Sequence, residues 1–494
     1  MADLKTFIIL LLFFTGFNYN TRAQKSTFFP LSSPEKQGVS SAMLDSTMHF
    51  IKNYNQNIHH LTIIRNNHTI LDADIYPYSG NYLHDIASVT KSITSLLIGI
   101  AIDRKFIKNE NEKVIKFFPE VKNHNKLLDS LKIKDLVTMT SGLACSASDG
   151  EKALSDMRKS KDWVKFIFDL PITSKPGSTF SYCSCNFYLL SEIIFRTTGL
   201  IPLEFAKKYL FAPLRITNSK WLSNYKKINH GWGDLFLFPA DMAKIGKLML
   251  EKGRWENKQI ISEQWITKCL KTYSKLPDDK GYGYGWWTND KVGFYEAAGR
   301  GRQTIAIVPS KNMIVTMLGG EFDAGTIGKY IFQSIQSDKA LPENKNDFGR
   351  LQNSLKDAAG PLSPQQWLVN DTVINKLNGR TILFERNIME IDSMRLNFSS
   401  IPNGVVIFYK KHIEEKYPFI LSTNLYAISK DLSLQLPVGL KAVSKNGNEF
   451  VLHYNQLCQI NNFYFHFIID KENITTRLEE TSNFIKINIP SSFK

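Results

Sequence analysis

The chain has 494 residues, of which 43% are apolar and 22% are charged, and this composition indicates a globular protein with a sizeable core. Its length exceeds what one hydrophobic core usually organises, so we expect two domains. The formal net charge is +15, but the basic residues are dispersed among acids and asparagines and form no arginine-rich stripe. This distribution indicates general surface charge and excludes a nucleic-acid partner from our expectations.

The first residues have the pattern of a secretory signal peptide. Lys5 precedes an apolar run over residues 7–17, and polar residues then lead to Thr21-Arg22-Ala23. We therefore predict a signal peptide over residues 1–23, cleaved after Ala23, with an uncleaved anchor as the alternative. No cysteine directly follows the cleavage site, so we expect no lipoprotein anchor, and no later run approaches roughly 20 apolar residues. We expect a secreted or periplasmic protein with no stable membrane span after cleavage.

A helix and a hairpin are predicted next. Residues 40–54 carry apolar side chains at helical spacing, which predicts an amphipathic helix. Two β-type runs, residues 61–65 and 69–71, flank Asn66-Asn67, and this order favours a hairpin with a tight turn.

Ser88-Val89-Thr90-Lys91 begins the next predicted helix and is the most informative stretch of the chain. Residues three apart lie on one face of a helix, so the Lys91 amine comes within reach of the Ser88 hydroxyl. A serine hydroxyl is a poor nucleophile until a base activates it, and a desolvated lysine can act as that base. The start of a helix also favours developing negative charge. The alternative is an N-cap serine followed by a solvated lysine.

Residues 105–221 are predicted to be mainly helical. Within them, a Pro176-Gly177 turn delivers Tyr182 to a loop that precedes an apolar helix. A tyrosine placed there can move a proton between a serine, a lysine and a leaving group, whereas the alternative is a hydrogen-bonded structural tyrosine.

Later patterns complete the predicted fold of the first domain. Residues 304–308 and 313–318 are predicted strands, and residues 326–337 are a predicted helix. This order of elements is typical of an α+β fold, with one antiparallel sheet between helices and a helical subdomain to one side. We assign residues 24–339 to this domain.

The last part of the chain has a different character. Residues 340–370 are a predicted polar linker with a helical stretch near residues 351–358, and residues 371–494 are a predicted β-rich accessory domain. Its predicted strands are residues 381–384, 394–398, 404–409, 450–454, 463–469 and 484–489. Short strands separated by turns indicate a small β-sandwich or barrel. Its sequence has no nucleophile–base pair, so we expect a structural role, with glycan contact as the alternative.

The chain has five cysteines, Cys145, Cys183, Cys185, Cys269 and Cys458. Cys183-x-Cys185 lacks the second ligand pair of a zinc site, so we predict neither a metal nor another cofactor. An exported chain meets oxidising conditions, which favour a disulfide. Our first choice pairs Cys145 with Cys183, since both flank the motifs of interest. A bond to Cys185 and a pair of buried free thiols are the alternatives.

Several motifs, in this order, make the chain resemble the serine β-lactamase-like superfamily, in particular its class C β-lactamases, family VIII esterases and 6-aminohexanoate-oligomer hydrolases. The resemblance runs from about residue 29 to residue 337. The segments that carry it are SVTK (88–91), DLVTMTSGL (135–143), PGSTFSYCS (176–184), PADMAKIG (239–246), YGYGWW (282–287) and AGRGRQ (298–303).

This resemblance implies a β-lactamase/transpeptidase-like domain that catalyses acyl transfer. Ser88 is the implied nucleophile, and Lys91, deprotonated in a low-dielectric pocket, and Tyr182 are the implied proton carriers. The backbone N–H groups of Ser88 and Arg300 are the implied oxyanion hole. The implied oxyanion-hole and substrate-binding residues are Ser184, Gly299, Arg300 and Gln303.

Two positions depart from the lactamase pattern. Ala297 stands where lactamases carry the lysine of Lys-Thr-Gly, with Arg300 or Arg302 as replacement cations, and Ser184 replaces the asparagine of the tyrosine motif. Both changes weaken the case for β-lactams and D-Ala-D-Ala peptides. We therefore predict an exported serine hydrolase that cleaves a small-molecule ester or amide. The alternatives are a β-lactamase or D-amino-acid peptidase of the same fold, and a catalytically silent ligand-binding sensor.

Overall fold

A computed structural model describes residues 28–122, 125–361, 371–445, 447–482 and 485–494. The predicted signal peptide lies outside the described residues, and so do residues 362–370 of the predicted linker. Every helix within the described ranges is too short or too polar to span a bilayer.

The main body combines helices with one large sheet. Its helices are α1 (Ser41–Asn53), α2 (Val89–Asp103), α3 (Ile133–Val137), α4 (Lys152–Lys159), α5 (Trp163–Phe168), α6 (Ser184–Thr198), α7 (Pro202–Ala206), α8 (Pro239–Leu250), α9 (Glu263–Cys269), α10 (Ala324–Ser334) and α11 (Lys345–Ala359). Its strands are β1 (Ile58–Arg65), β2 (His68–Asp74), β3 (His84–Asp85), β4 (Lys220–Trp221), β5 (Leu235–Leu237), β6 (Arg254–Trp255), β7 (Lys258–Gln259), β8 (Ser274–Lys275), β9 (Gly281–Tyr282), β10 (Trp287–Asn289), β11 (Phe294–Gly299), β12 (Gln303–Val308) and β13 (Met313–Gly319).

Eight of these strands form an antiparallel sheet in the order β2-β1-β13-β12-β11-β10-β9-β8. All eight residues of β1 are buried, because helices cover both faces of the sheet. On one face, Ile63 belongs to the apolar cluster that includes α1 and α10. On the other face, Ile64 packs with Ala243 of α8. The predicted α+β architecture, with a sheet between helices, is confirmed.

The predicted β1–β2 hairpin is confirmed, and its turn has a simple cause. Asn66 and Asn67 both adopt positive φ, at 50° and 61°. Asparagine tolerates this left-handed region better than most residues, and a two-residue turn of this kind matches the twist of the flanking strands.

A helical subdomain lies between β3 and β4 along the chain. Its helices α3 to α7 share one apolar cluster with α2, whose residues from Val89 to Ala101 are all buried. Helix α2 packs against α6, so the predicted catalytic helix lies at the centre of this cluster.

Two features differ from the sequence-based expectations. The pattern did not predict β8 to β11, which extend the sheet and bring the segment around Gly299 to its end. Helix α11 lies inside the predicted linker and packs against α1, with Leu351 fully buried. The main body therefore continues past residue 339.

The C-terminal domain begins with α12 (Asp371–Leu377) and is otherwise built of strands. These are β14 (Thr381–Phe384), β15 (Ser393–Ser400), β16 (Asn403–Lys410), β17 (Ile413–Leu421), β18 (Ala427–Lys430), β19 (Pro437–Ser444), β20 (Glu449–Asn455), β21 (Asn462–Asp470), β22 (Asn473–Glu480), β23 (Ile485–Ile489) and β24 (Ser491–Phe493). They form one sheet, in which β23 pairs with β22 and β24 pairs with β14 at the opposite end. Because Pro490 alone separates β23 from β24, the sheet curls into a nearly closed barrel. The predicted β-rich domain is confirmed.

The two domains meet across apolar and polar contacts. Phe236 of the main body packs with Leu436 and Cys458 of the C-terminal domain. The Tyr78 hydroxyl lies within hydrogen-bond distance of the Asn455 and Asn462 side-chain amides. The C-terminal domain is therefore packed directly against the main body.

Candidate active site

Ser88 and Lys91 face each other on the first turn of α2. Lys91 Nζ lies 2.8 Å from Ser88 Oγ and 3.0 Å from the Trp232 carbonyl oxygen. The Lys91 side chain is only 1% exposed, so the amine is removed from bulk water. The backbone before the helix is fixed by Asp85, whose carboxylate accepts the Ala87 N–H at 2.8 Å. The local helical geometry thus produces the contact that the sequence spacing predicts.

Tyr182 reaches the same place from the loop before α6. The Ser181 N–H, next to it, donates to the Met139 carbonyl at 2.8 Å, which ties this loop to the 135–143 segment. The Tyr182 ring stacks on Trp287, with ring centroids 5.8 Å apart and an interplanar angle of 12°. Lys91 Nζ lies 4.9 Å from the centroid of the Tyr182 ring. The hydroxyl, amine and aromatic ring therefore converge.

A disulfide between Cys145 and Cys183 anchors this loop directly after Tyr182. Our first choice of pairing is confirmed. The sulfur of Cys185 lies within 4.8 Å of both bonded sulfurs. Burial raises the pKa of the Cys185 thiol to about 12, so it is protonated at neutral pH. Because Cys145 and Cys183 form the disulfide, Cys185 is the one thiol of this cluster that could bind a metal.

Gly299 ends β11 against the backbone of Ser88. A Cβ atom on Gly299 would lie 2.9 Å from Ser88 N, 2.9 Å from the Ile86 carbonyl oxygen and 3.0 Å from Ala87 Cβ. Its φ of −137° is extended, so close approach and not backbone conformation demands glycine here. The Arg300–Arg302 turn follows at once.

One cavity of about 450 Å³ brings these groups together. Ser88, Tyr182, Gly299 and Arg300 line it, and Trp287 and Phe294 add aromatic surface. The charged side chains along its wall are Lys280, Glu296, Arg300 and Arg302. Burial raises the pKa of the Glu296 carboxyl, against the opposing charges of Lys280 and Arg302. With three cationic side chains against one acidic side chain, the wall of the cavity is predominantly cationic.

Two predicted substrate-binding residues do not line this cavity. Ser184 is buried at the start of α6, and its hydroxyl donates to Glu151. Gln303 is fully buried, donates to the Arg300 carbonyl at 3.1 Å and accepts the Gly319 N–H at 3.1 Å. Both side chains are occupied by protein partners, so the structure contradicts their predicted contact with substrate. Gln303 instead holds the backbone of Arg300 and Gly319.

The sequence-based reasoning missed an acidic pair behind Ser88. Burial and the negative charge of Asp234 raise the pKa of Asp85 to about 7, while the Ala87 N–H and Arg300 act in the opposite direction. Asp234 is within 2.6 Å of His230. In the sequence, the only sign of a role for Asp85 is that this acidic residue lies three positions before the predicted nucleophile.

Comparisons with known proteins agree with this geometry. Residues 59–323 match the family model described as Beta-lactamase. Protein flp of Staphylococcus aureus (strain MRSA252) is 28% identical over 148 residues, 30% of this chain and 30% of that protein. The chain therefore spans about a third of the length of this curated relative.

Two further matches cover more of the chain. The 6-aminohexanoate-dimer hydrolase of Paenarthrobacter ureafaciens is 22% identical over 268 residues, 49% of this chain and 67% of that enzyme. The solved structure of the octameric penicillin-binding protein homologue from Pyrococcus abyssi has a TM-score of 0.50 at 16% identity. The match covers 91% of this chain and 99% of that one, and it indicates a shared fold.

Proposed function

Because the chain belongs to the beta-lactamase family, we propose that it is a serine hydrolase that cleaves an ester or amide through an acyl-enzyme on Ser88. One observation carries this proposal. Lys91 Nζ lies 2.8 Å from Ser88 Oγ, and Ser88 shares its cavity with Tyr182. A nucleophile and its base within hydrogen-bond distance, at the mouth of a concave site, form the arrangement that acyl transfer needs.

The proposed reaction begins when Ser88 Oγ attacks the substrate carbonyl carbon and its proton passes to the Lys91 amine. The Trp232 carbonyl accepts a hydrogen bond from that amine and holds it in place. Tyr182 then helps to deliver the proton to the leaving alcohol or amine. Water attacks the acyl-enzyme by the same route, which releases the acid and restores the Ser88 hydroxyl.

The carbonyl oxygen becomes negative in the tetrahedral intermediate. We place this oxygen between the backbone N–H groups of Ser88 and Arg300. The absence of a side chain on Gly299 supports this, because a Cβ there would lie 2.9 Å from Ser88 N. Preorganised N–H donors of this kind typically contribute about 10²- to 10³-fold in rate.

Esters and amides are favoured over β-lactams by one position in β11. Lactamases carry the lysine of their third motif at this position. Here the residue is alanine, and it is fully buried, so the position carries no cation. A β-lactamase or D-amino-acid peptidase is therefore the second candidate. We also propose action outside the cytoplasm, which the Cys145–Cys183 disulfide supports.

A panel of p-nitrophenyl acetate, p-nitrophenyl butyrate and nitrocefin tests this proposal. Ser88→Ala is expected to lower ester hydrolysis by about 10³-fold or more, and Lys91→Ala by a comparable factor. Ser46→Ala, which removes an exposed hydroxyl on α1, is the matched control and keeps wild-type rates. Mass spectrometry of the wild type quenched with acid should find the acetyl group on the peptide containing Ser88.

The other candidates give different results. Dominant nitrocefin hydrolysis would favour the β-lactamase. Absence of ester hydrolysis together with absence of Ser88 labelling by a fluorophosphonate would favour a silent ligand-binding protein.

A further inference from the structure

A second cavity lies between the two domains, apart from the catalytic cavity. At the catalytic cavity, Arg300 Nη1 donates to Asn461 Oδ1 at 2.9 Å. The next side chain along the chain, that of Asn462, lines the second cavity instead. This interdomain cavity measures about 630 Å³, and among the described residues it shares no lining residue with the catalytic cavity. Its size is typical of small-molecule binding sites.

Both domains contribute to the wall of the interdomain cavity. The main body supplies the end of α1, Tyr76 from the loop after β2, and the end of α11. The C-terminal domain supplies side chains of β19, β20 and β21, among them Lys441, His453 and Tyr464. The Tyr426 N–H donates to the Tyr76 hydroxyl at 3.1 Å, so the wall is tied together across the domain boundary.

Two buried polar atoms on this wall are not paired within the protein. His453 is 5% exposed and Asn462 is 3% exposed. His453 Nε2 and Asn462 Oδ1 form no hydrogen bond with any described residue. The other ring nitrogen, His453 Nδ1, lies 2.8 Å from the Tyr426 hydroxyl. Asn462 Nδ2 donates to the Tyr78 hydroxyl at 3.1 Å. Because an unpaired buried polar atom costs free energy, this part of the wall is suited to a polar ligand.

The two atoms restrict the chemistry of that ligand. Asn462 Oδ1 only accepts, so the ligand must donate to it, and an ionised carboxylate has no proton to donate. Burial and the charge of Lys441 lower the pKa of His453 to about 3, so the ring is neutral at pH 7. Its Nε2 then donates or accepts according to the tautomer. A hydroxyl group both donates and accepts, so hydroxyls satisfy both atoms in either case.

Lys441 disfavours a cationic ligand. Its Nζ lies 4.5 Å from the centroid of the Tyr426 ring and donates to the Thr423 carbonyl at 2.5 Å. Burial lowers the pKa of this amine to about 8, so most of it is still protonated at pH 7. An ammonium ligand would therefore meet a like charge, whereas a neutral hydroxyl oxygen can accept from Lys441.

Aromatic rings complete the wall. The Tyr464 ring stacks on the His453 ring, with centroids 4.0 Å apart and an interplanar angle of 11°. Tyr426 packs edge-on against the same imidazole, with centroids 5.4 Å apart. A pyranose ring presents apolar C–H faces that suit such aromatic surfaces, and its edge carries hydroxyls that suit His453 and Asn462. The wall therefore combines the two kinds of contact that a sugar requires.

We propose that the interdomain cavity binds a neutral oligosaccharide. Sugar hydroxyls pair with His453 Nε2 and Asn462 Oδ1, and a sugar ring packs against the tyrosines of the wall. This is the alternative role that the sequence left open for the C-terminal domain. The proposal goes beyond the hydrolase activity and does not depend on it.

Saturation-transfer NMR and calorimetry with the full chain test the proposal. The probes are maltotriose, cellotriose, mannotriose and N,N′,N″-triacetylchitotriose, with sodium acetate as the anionic control. At least one trisaccharide should bind the wild type, and acetate should not. Ser88→Ala should bind the same trisaccharide with unchanged affinity, because Ser88 lines the other cavity.

Two substitutions in the wall should weaken this binding. His453→Phe keeps an aromatic ring beside Tyr464 but removes both nitrogens, and it should raise Kd by about 3- to 10-fold, the range of a neutral hydrogen bond. Tyr464→Leu should raise Kd by a similar factor, because the aromatic face is lost. His49→Phe is the matched control at an exposed position on α1 and should leave Kd unchanged.

Several results would overturn the proposal. Absence of binding by all four trisaccharides up to about 10 mM is one of them. Binding that is lost in Ser88→Ala, or unchanged in both wall variants, is another, since the sugar would then lie elsewhere. Acetate binding that Lys441→Gln abolishes would identify an anion site instead.

Thermal melts show whether each variant is folded. If His453→Phe does not fold, Tyr464→Leu decides alone, since Tyr464 is only partly buried. Hydrolysis at Ser88 is measured separately, so the saccharide site and the proposed function can fail independently.

Discussion

Gly299→Ala is the sharpest test of how the site is built. The added Cβ would meet Ser88 N and the Ile86 carbonyl oxygen at 2.9 Å. Ordinary contacts of carbon with such atoms lie near ~3.5 Å, so the backbone around Ser88 must retreat by about half an ångström. These neighbours are backbone atoms at the start of α2, and they cannot rotate away as a side chain would. The nucleophile and its N–H group therefore move together.

A displacement of this order is large for catalysis. Misplacing reacting groups by about 1 Å can cost about 10²-fold, and losing an oxyanion donor costs a similar factor. We expect kcat/KM for p-nitrophenyl butyrate to fall by about 10²-fold, and the free energy of unfolding to fall by about 1–3 kcal/mol from overpacking.

Gly349→Ala is the matched control for the same substitution. Gly349 lies in α11, and a Cβ there meets nothing within 4 Å. Replacing a helical glycine in open space should raise stability by about 0.5–1 kcal/mol and leave hydrolysis unchanged. Near wild-type kcat/KM in Gly299→Ala would refute the placement of the oxyanion next to Ser88 N.

Three further predictions concern stability. Cys145→Ser opens a disulfide whose partners are 38 residues apart, and the lost chain constraint should cost about 4 kcal/mol in guanidinium unfolding; an unchanged midpoint without reductant would contradict this. Leu351→Ala removes a fully buried side chain between α11 and α1 and should cost about 2–4 kcal/mol, whereas wild-type stability would show that α11 is not docked. Asp85 has a pKa of about 7 in the folded chain, against an ordinary value of 3.8. Between these pH values the unfolded chain releases a proton that the folded chain keeps, so stability falls as pH rises, by up to about 4 kcal/mol. Asp85→Asn should lose this fall between pH 4 and pH 7 in thermal melts, and parallel profiles of variant and wild type would rule it out.

Elements with strong local periodicity could be predicted from the sequence. Helix α1, the β1–β2 hairpin and the β12–β13 pair all have apolar spacing or turn residues that act locally. Strands β8 and β9 have two residues each and owe their extended form to pairing with neighbours in the sheet. Strand β17 could not be predicted from its sequence, because it begins with the charged residues Glu414, Glu415 and Lys416. Only alternate side chains near that end face the core.

The candidate site shows the same division. Ser88 and Lys91 lie one helical turn apart, so their contact follows from local geometry alone. Tyr182 could be placed only through the order of the family motifs. Ser184 and Gln303 lie within two residues of the cavity residues Tyr182 and Arg302, yet nearby side chains point in different directions at a helix start or along a strand. Asn461 is 161 residues from Arg300, and no local pattern could connect them.

The cavity has two walls that are fixed by independent means. The Cys145–Cys183 disulfide anchors the wall that carries Tyr182, and Asn461 anchors the wall that carries Arg300. Loosening the first should slow proton transfer, and loosening the second should displace the Arg300 N–H of the proposed oxyanion hole. Because these constraints share no residue, their effects on transition-state free energy should add within about 0.5 kcal/mol in the double variant Cys145→Ser/Asn461→Ala. A larger departure, measured with p-nitrophenyl butyrate, would show that the walls move as one unit.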